Sequence, residues 1–257
     1  MNEVHATALV HKNAKIGKDV TIGPYCIIGE NVTLGDRCRL HSGVVINGNT
    51  TLGINNEIYS HAVIGNPGQD RNYKNEKTFV EIGDNNIIRE SATINSATGE
   101  GQKTIIGNDC FIFALAHVGH NVKVGDKVTL VNGAGLAGFV EVEEKAFISA
   151  YCVVHQFCKV GSMAMIGLIS PIEKDVPPFV LGTGNPFKVF MLNKVGLERN
   201  GVPENSKEAL KKMFRIVFRS GLNTTQALTR VKEETGPDSY VAHFISFVEK
   251  SKRGIYK

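Results

Sequence analysis

Tryptophan is absent from the 257 residues, and aromatic residues make up only 7% of the chain. With few large rings and 27 glycines, the composition suits a thin core better than a thick one. Long apolar runs are missing too, so no segment is fit to span a bilayer as a helix. The opening Met1-Asn2-Glu3-Val4 lacks the basic stretch and apolar core of a signal peptide. The expectation is a cytoplasmic protein without stable membrane insertion. Nor does charge of one sign dominate: 29 Lys and Arg against 25 Asp and Glu leave a net +4, too little to argue for nucleic acid.

What is present is a beat. An aliphatic residue falls on every sixth position: Val4, Val10, Ile16, Ile22, Ile28, Leu34, and onward to Val154, Val160, Ile166 and Ile172. Two interruptions, after Ile64 and after Ile94, leave the phase unchanged. A helix turns about 100° per residue, so no helical face collects a period of six. A strand has period two, and six is a multiple of two, so all these side chains can point one way. The inward position four residues later is small or medium, as at Ala8, Ala14, Cys26, Cys38 and Ala62. Gly often follows the aliphatic residue (Gly17, Gly23, Gly35, Gly53), which suits bends between very short strands. Short strands turning every six residues, three to a coil, predict a parallel β-helix of hexapeptide repeats over residues 1–178, about nine coils and about 45 Å tall. The five cysteines, Cys26, Cys38, Cys110, Cys152 and Cys158, all take the small inward position. Packing explains them without disulfides, metal or nucleophilic chemistry.

Beyond residue 178 the period stops, and residues 179–257 read as a C-terminal α-helical domain. Leu210, Met213, Phe214 and Val217 have helical spacing, with Asn205 and Glu208 placed like a capping box. Thr224–Thr235 and the stripe Val241, Phe244, Ile245 and Val248 give two more helices. Together they are expected to close the open end of the prism, where strand edges would be unpaired. Lys211, Lys212, Arg215 and Arg219 form a basic face that reads either as a solvated surface or as a dock for an acidic partner. Two loops leave the coil, 66–78 and 96–104, and loops on so regular a scaffold point to function. Phe111, Phe113, Phe139, Tyr151 and Phe157 lie off the inward phase. They imply a partner surface, which three copies packed around a threefold axis would bury, with sites between subunits.

Of eight histidines, His117, His120 and His155 stand out. An 18-residue offset moves up one coil, so Gly138 and Gln156 stack over His120, and His155 over Gly119. Two chemistries compete for such a cluster. A zinc site needs three convergent ligands and a free fourth position, and the His-x4-His spacing of hexapeptide-repeat carbonic anhydrases is absent. Acyl transfer needs one general base to take a proton from an acceptor hydroxyl or amine as it attacks a thioester, and a neutral imidazole suits that task. The sequence reading assigns no metal.

Taken in order, these residues resemble the acyl-carrier-protein-dependent UDP-N-acetylglucosamine acyltransferases that begin lipid A biosynthesis. The likeness rests on Gln69-Asp70…Tyr73…Glu76, Arg89-Glu90…Thr93-Ile94, His117-x-x-His120, Leu136-Ala137-Gly138 and His155-Gln156-Phe157. It continues through Asp175-Val176-Pro177-Pro178, Gly184-Asn185, Arg219-Ser220-Gly221 and Ser251-x-Arg253-Gly254. The resemblance implies a left-handed coil and transfer of an (R)-3-hydroxyacyl chain from acyl carrier protein to the glucosamine 3-position. The donor would be a phosphopantetheine thioester, with no further cofactor. It makes His120 the general base, Gly138 a backbone position that stabilises the oxyanion, and Gln69, Asp70, His117, His155, Gln156, Asn193 and Arg199 substrate contacts. Leu168 occupies the position that measures acyl length.

The chain also departs from the family pattern. Asn121 stands where Asp usually follows the base, and Phe139 where His usually follows Ala-Gly. Asn72 and Asn200 replace basic residues, and Leu168 replaces a residue that is often Gly. Two alternatives therefore stay open: a paralogue acting on another nucleotide sugar, with an amine at the 3-position, and a non-catalytic binding homologue.

Overall fold

The structure is a computed structural model and describes residues 1–257. Strands of two to four residues alternate among three sheets, so consecutive strands lie on consecutive faces of a triangular prism. The first sheet begins with Glu3–Val4, the second with Leu9–Val10 and the third with Lys15–Ile16; they hold 11, 9 and 8 strands. All pairing within the coil is parallel, as in Thr21↔Arg39 with Ile22↔Leu40, and its one register shift lies between Ile64 and Asn66, where the first loop leaves. Each aliphatic residue therefore stacks on the one a coil below. Leu34, Ile46, Ile64, Ile88, Ile112, Leu136 and Ile148 are at most 1% exposed. Each such side chain is worth about 1.5–3 kcal/mol relative to exposure, which is how a thin prism without tryptophan holds together.

The unbroken phase has a structural cause. Pairing jumps by 30 residues at Glu57↔Ile87 and by 24 at Ile87↔Phe111, where 18 is the rule. The extra chain leaves as loops of whole six-residue units, and the ladder closes beneath them.

Glycine makes few of the corners: Gly43 and Gly133 do, with φ of 69° and 65°, and residues with side chains make most of the others. The left-handed residue is the third after the aliphatic one: Tyr25, Arg37, Asn55, Leu115, Asn121, Phe139, Tyr151 and Phe157 have φ between 54° and 64°. Each such non-glycine corner costs about 1–2 kcal/mol. An inter-coil hydrogen bond offsets it, as from Phe139 N–H to the His120 carbonyl (3.0 Å) and from Tyr151 N–H to the Asn132 carbonyl (2.9 Å). The glycine after the strand answers a different need. A Cβ on Gly35 would overlap the Gly53 carbonyl of the next coil, so the residue allows close stacking and not the bend.

The C-terminal part differs from the helical domain expected at 179–257. It opens with an antiparallel hairpin, Val180–Thr183 and Lys188–Leu192, whose first strand pairs in parallel with Met165–Ile166 and so extends the first sheet. Four helices follow: α1 (Lys194–Arg199), α2 (Glu204–Arg219), α3 (Thr224–Glu234) and α4 (Ser239–Glu249). Asn205 and Glu208 make no capping box, because α2 starts at Glu204 behind Pro203 and has no side-chain cap. The capping box belongs to α3, between Asn223 and Gln226. The helices pack on the last turn, with Tyr240 and His243 of α4 against Phe179, but they do not pair its strand edges. A helix has spent its backbone groups internally, and a strand edge needs extended chain. The C-terminal tail supplies it: Asp175 N–H donates to the Gly254 carbonyl (2.9 Å) and Tyr256 N–H to the Asp175 carbonyl (3.1 Å). The buried Asp175 side chain ties this down, accepting from Lys159 N–H (2.7 Å) and the Ser251 hydroxyl (2.6 Å). The five cysteines are buried and free, and no helix is long and apolar enough to cross a membrane.

Candidate active site

Both loops and His120 share one edge of the prism, the corner from the second sheet to the third. The first loop joins Val63–Asn66 to Phe79–Ile82, and the second joins Thr93–Asn95 to Lys103–Ile106. One coil on, the same corner lies between His117–Val118 and Lys123–Val124 and carries His120. The loops are stitched together. Ser96 N–H donates to the Asn66 carbonyl (2.8 Å), and the Asn95 amide to that of Pro67 (2.9 Å). Glu76 accepts from Gly99 N–H (2.8 Å) and Lys74 N–H (2.6 Å). Those donors, Gly99 first, hold its carboxyl below the usual carboxylate range. Gly68 lies directly against His120: an added Cβ would sit 2.9 Å from His120 Cβ and 2.8 Å from Thr98 Cγ2.

His120 is held on three sides. Its Nδ1 lies 2.9 Å from Asn121 Oδ1, and Asn121 is 7% exposed. The Phe139 ring meets the imidazole edge-on, with centroids 5.2 Å apart at 89°, and Phe157 stacks on Phe139 at 4.9 Å. The other nitrogen, Nε2, faces Gly138, where a Cβ would come well under 3.0 Å from Nε2 and Cε1. Gly138 is buried, and its N–H donates to nothing within the chain, while its carbonyl accepts from Phe157 N–H (3.1 Å). His120 Nε2 and a residue with an unspent N–H thus lie side by side.

The other predicted residues divide. His117 shares the site's wall, its Nδ1 2.8 Å from the Thr93 hydroxyl. Burial, and secondarily the neighbouring His120, hold its imidazole below the usual histidine range, favouring the neutral form. Gln69 is exposed at the start of the outer loop, and Asp70 closes a local turn by accepting from Asn72 N–H (2.9 Å). His155 and Gln156 are exposed on the same edge two coils higher, with His155 Nδ1 3.2 Å from the Gln156 carbonyl. The three histidines engage separate partners, and no three His, Cys, Asp or Glu side chains of the chain are grouped to hold a metal. A cleft of about 400 Å³ opens beside Asn121, lined by Phe139, Phe157, Lys123, Lys159, Lys252 and Arg253. A second cavity of about 450 Å³, between α4 and Glu143, contains none of these residues.

Leu168, Asn193 and Arg199 are not brought to this edge. Leu168, 62% exposed, lies on the first-to-second corner. Asn193 sits against the third-to-first corner, where it bonds to Met163. Asn193, expected to meet the nucleotide, caps α1 instead: its Oδ1 accepts from Gly196 N–H (3.0 Å), and its Nδ2 donates to the Met163 carbonyl (2.8 Å). Both ends of the amide are spent inside the chain, which leaves Asn193 7% exposed. Arg199, in the last turn of α1, is exposed. Sequence reasoning missed Thr98 and the role of Glu76. Thr98 was signalled only by membership of a loop and Glu76 only as part of the resembling motif, since a hydrogen bond between two loops leaves no periodic trace.

The chain matches known proteins over its whole length. Residues 13–48 and 103–138 match the model of the bacterial transferase hexapeptide (six repeats), and 175–256 that of UDP N-acetylglucosamine O-acyltransferase, domain 2. An acyl-[acyl-carrier-protein]–UDP-N-acetylglucosamine O-acyltransferase of Thermodesulfovibrio yellowstonii is 44% identical over 256 residues, covering 99% of both chains. One of Chlamydia caviae is 46% identical over 256 residues, covering 99% of this chain and 92% of the relative. Among solved structures, the UDP-N-acetylglucosamine acyltransferase of Bacteroides fragilis superimposes with a TM-score of 0.96 at 35% identity, covering 99% of this chain and 100% of the other. That of Francisella novicida gives 0.95 at 38% identity, covering 98% and 93%. The prism is a left-handed parallel β-helix.

Proposed function

Because the chain belongs to the family of acyl-[acyl-carrier-protein]–UDP-N-acetylglucosamine O-acyltransferases, we propose that the corner around His120 is its active site. The enzyme transfers an acyl chain from acyl carrier protein to UDP-N-acetylglucosamine, the first step of lipid A biosynthesis. The observation that carries the site assignment is the pairing of His120 Nε2, opposite an engaged Nδ1, with the unspent Gly138 N–H.

In the reaction, Nε2 takes the proton of the sugar's 3-hydroxyl as its oxygen attacks the thioester carbonyl carbon. The carbonyl electrons move onto oxygen, and the Gly138 N–H donates to that oxyanion. Collapse of the intermediate re-forms the carbonyl and breaks the carbon–sulfur bond, and the imidazolium returns its proton to the departing pantetheine sulfur. Gln69, Asp70 and neutral His117 are assigned to the sugar, and His155 with the cationic cleft to phosphate. Gln156 borders the acyl groove, Leu168 ends it, and Arg199 meets phosphate. The last two act from a neighbouring copy in a homotrimer. Exposed Leu115 (60%), Tyr151 (61%) and Ile169 (62%), which line the first-to-second edge, support that assembly. A cytoplasmic location belongs to the same proposal.

The test is a product screen with purified protein. UDP-N-acetylglucosamine and its 3-amino analogue are offered with 3-hydroxyacyl carrier proteins of several lengths, and products are read by mass spectrometry. The expected outcome is O-acylation of UDP-N-acetylglucosamine over a narrow range of lengths, with a loss of about 10²-fold or more in His120→Ala. Acylation of the amino sugar alone, or a His120→Ala variant within about tenfold of the parent, would overturn the reading.

A further inference from the structure

We infer that Thr98, in the second loop, is a positioning residue that fixes which nitrogen of His120 carries the proton. The inference rests on His120 being the base. Thr98 reaches Asn121 three times. Its backbone N–H donates to Asn121 Oδ1 (2.9 Å), its hydroxyl to the same oxygen (3.1 Å), and its carbonyl accepts from Asn121 Nδ2 (3.0 Å). A backbone N–H can only donate and a carbonyl can only accept, so the two together determine which way the Asn121 amide faces. The atom toward His120 Nδ1, 2.9 Å away, is therefore an oxygen. An amide oxygen only accepts, so Nδ1 must carry the hydrogen, and Nε2 is left with the lone pair that the reaction uses.

The same geometry accounts for asparagine at this position. A carboxylate in its place would put an oxygen where Asn121 Nδ2 now donates to the Thr98 carbonyl, acceptor against acceptor at 3.0 Å. The loop and a carboxylate cannot both keep their places, so this loop requires an amide and the base does without a charged partner. The lock also reaches outward. Gly99, next to Thr98, donates its N–H to Glu76 of the outer loop (2.8 Å), so both loops set the proton on the base through one residue.

The test reads the ring nitrogens of His120 by ¹⁵N NMR in the full-length protein, beside steady-state kinetics. The parent should show a protonated Nδ1 and a bare Nε2. Thr98→Val removes the hydroxyl but keeps both backbone bonds, and should keep that ring signature. Thr98→Pro, which lacks the N–H, should lose the signature and about tenfold in kcat, with little change in KM for the sugar nucleotide. Asn121→Asp should lower kcat by about tenfold and speed amide exchange across residues 96–104. A parent with the proton on Nε2 would overturn the inference. So would an Asn121→Asp variant at or above parental kcat with its loop exchange unchanged. The ring signature is read without turnover, so loss of the base assignment (His120→Ala still active) and loss of the lock are separate results.

Discussion

Gly138→Ala is the smallest change that should disable the base without touching the fold. The added methyl would lie well under 3.0 Å from His120 Nε2 and Cε1, and 3.1 Å from Cδ2. Carbon contacts need about 3.5 Å, so the ring must retreat by about 1 Å. It has nowhere to go: retreat presses on Asn121 at 2.9 Å and on the edge-packed Phe139. The ring must instead rotate and break its Nδ1 bond. A displacement of about 1 Å at a reacting centre costs about 10²-fold, or about 2.7 kcal/mol of transition-state stabilisation at 1.36 kcal/mol per decade. Backbone strain does not contribute, because Gly138 is outside the left-handed region. Alanine also keeps the N–H offered to the oxyanion, so the loss belongs to the base alone. The assay is kcat with acyl carrier protein thioester and UDP-N-acetylglucosamine, with thermal unfolding as the fold control. In a His120→Ala background the same substitution should cost almost nothing, since no ring remains to be displaced. Gly138→Ala activity within about threefold of the parent would refute the reasoning, as would an equal loss in both backgrounds.

The remaining expectations are physical. Burial pushes the Cys110 and Cys158 thiols up to about 11, and all five cysteines are buried. None should react with a maleimide at pH 8 until the protein unfolds, and rapid labelling of any native cysteine would contradict the packing. The hydrogen bond from His243 on α4 to Glu143 (2.8 Å) raises the histidine above its ordinary value. A raised folded-state value stabilises fully below the unfolded value of about 6.5 and fades as pH climbs through the folded one. The gap in Tm between the parent and His243→Gln should therefore be wider at pH 6 than at pH 8.5. An equal gap at both would show that the pair holds nothing.

The prism was legible because one requirement repeats. Ile22, Leu40, Ile58 and Ile88 stack in a single column, and each restates the same inward constraint. The corner rule was hidden because Tyr25, Leu115 and Phe157 are poor advertisements for a left-handed conformation. The 18-residue offset that places Gly138 over His120 could be counted, whereas the Thr98–Asn121 bonds could not, because loop closure is set by atoms and not by residue types. Asn193 was read for a ligand contact by resemblance, and its role as the cap of α1 was not legible, because capping is set by local geometry. The antiparallel strands Val180–Thr183 and Lys188–Leu192 are only four and five residues long, too short for a period of two to stand out once the six-residue phase has stopped.

The edges of the prism carry the strongest argument about assembly. His120 with both loops lies on the second-to-third edge and Leu168 on the first-to-second. One triangular prism cannot turn two of its own edges toward each other, so on the roles proposed for His120 and Leu168 a single chain would hold a base without the end of its groove. Two copies set edge to edge can supply both. Closing such contacts around a threefold axis repeats the cleft three times and leaves no open contact surface. It would also cover Leu115, Tyr151 and Ile169, whose exposure a lone prism leaves unexplained. Assembly and catalysis then make one demand on the sequence: Ile169→Glu should weaken association, read by sedimentation, and turnover together, although it lies on a different edge from the base.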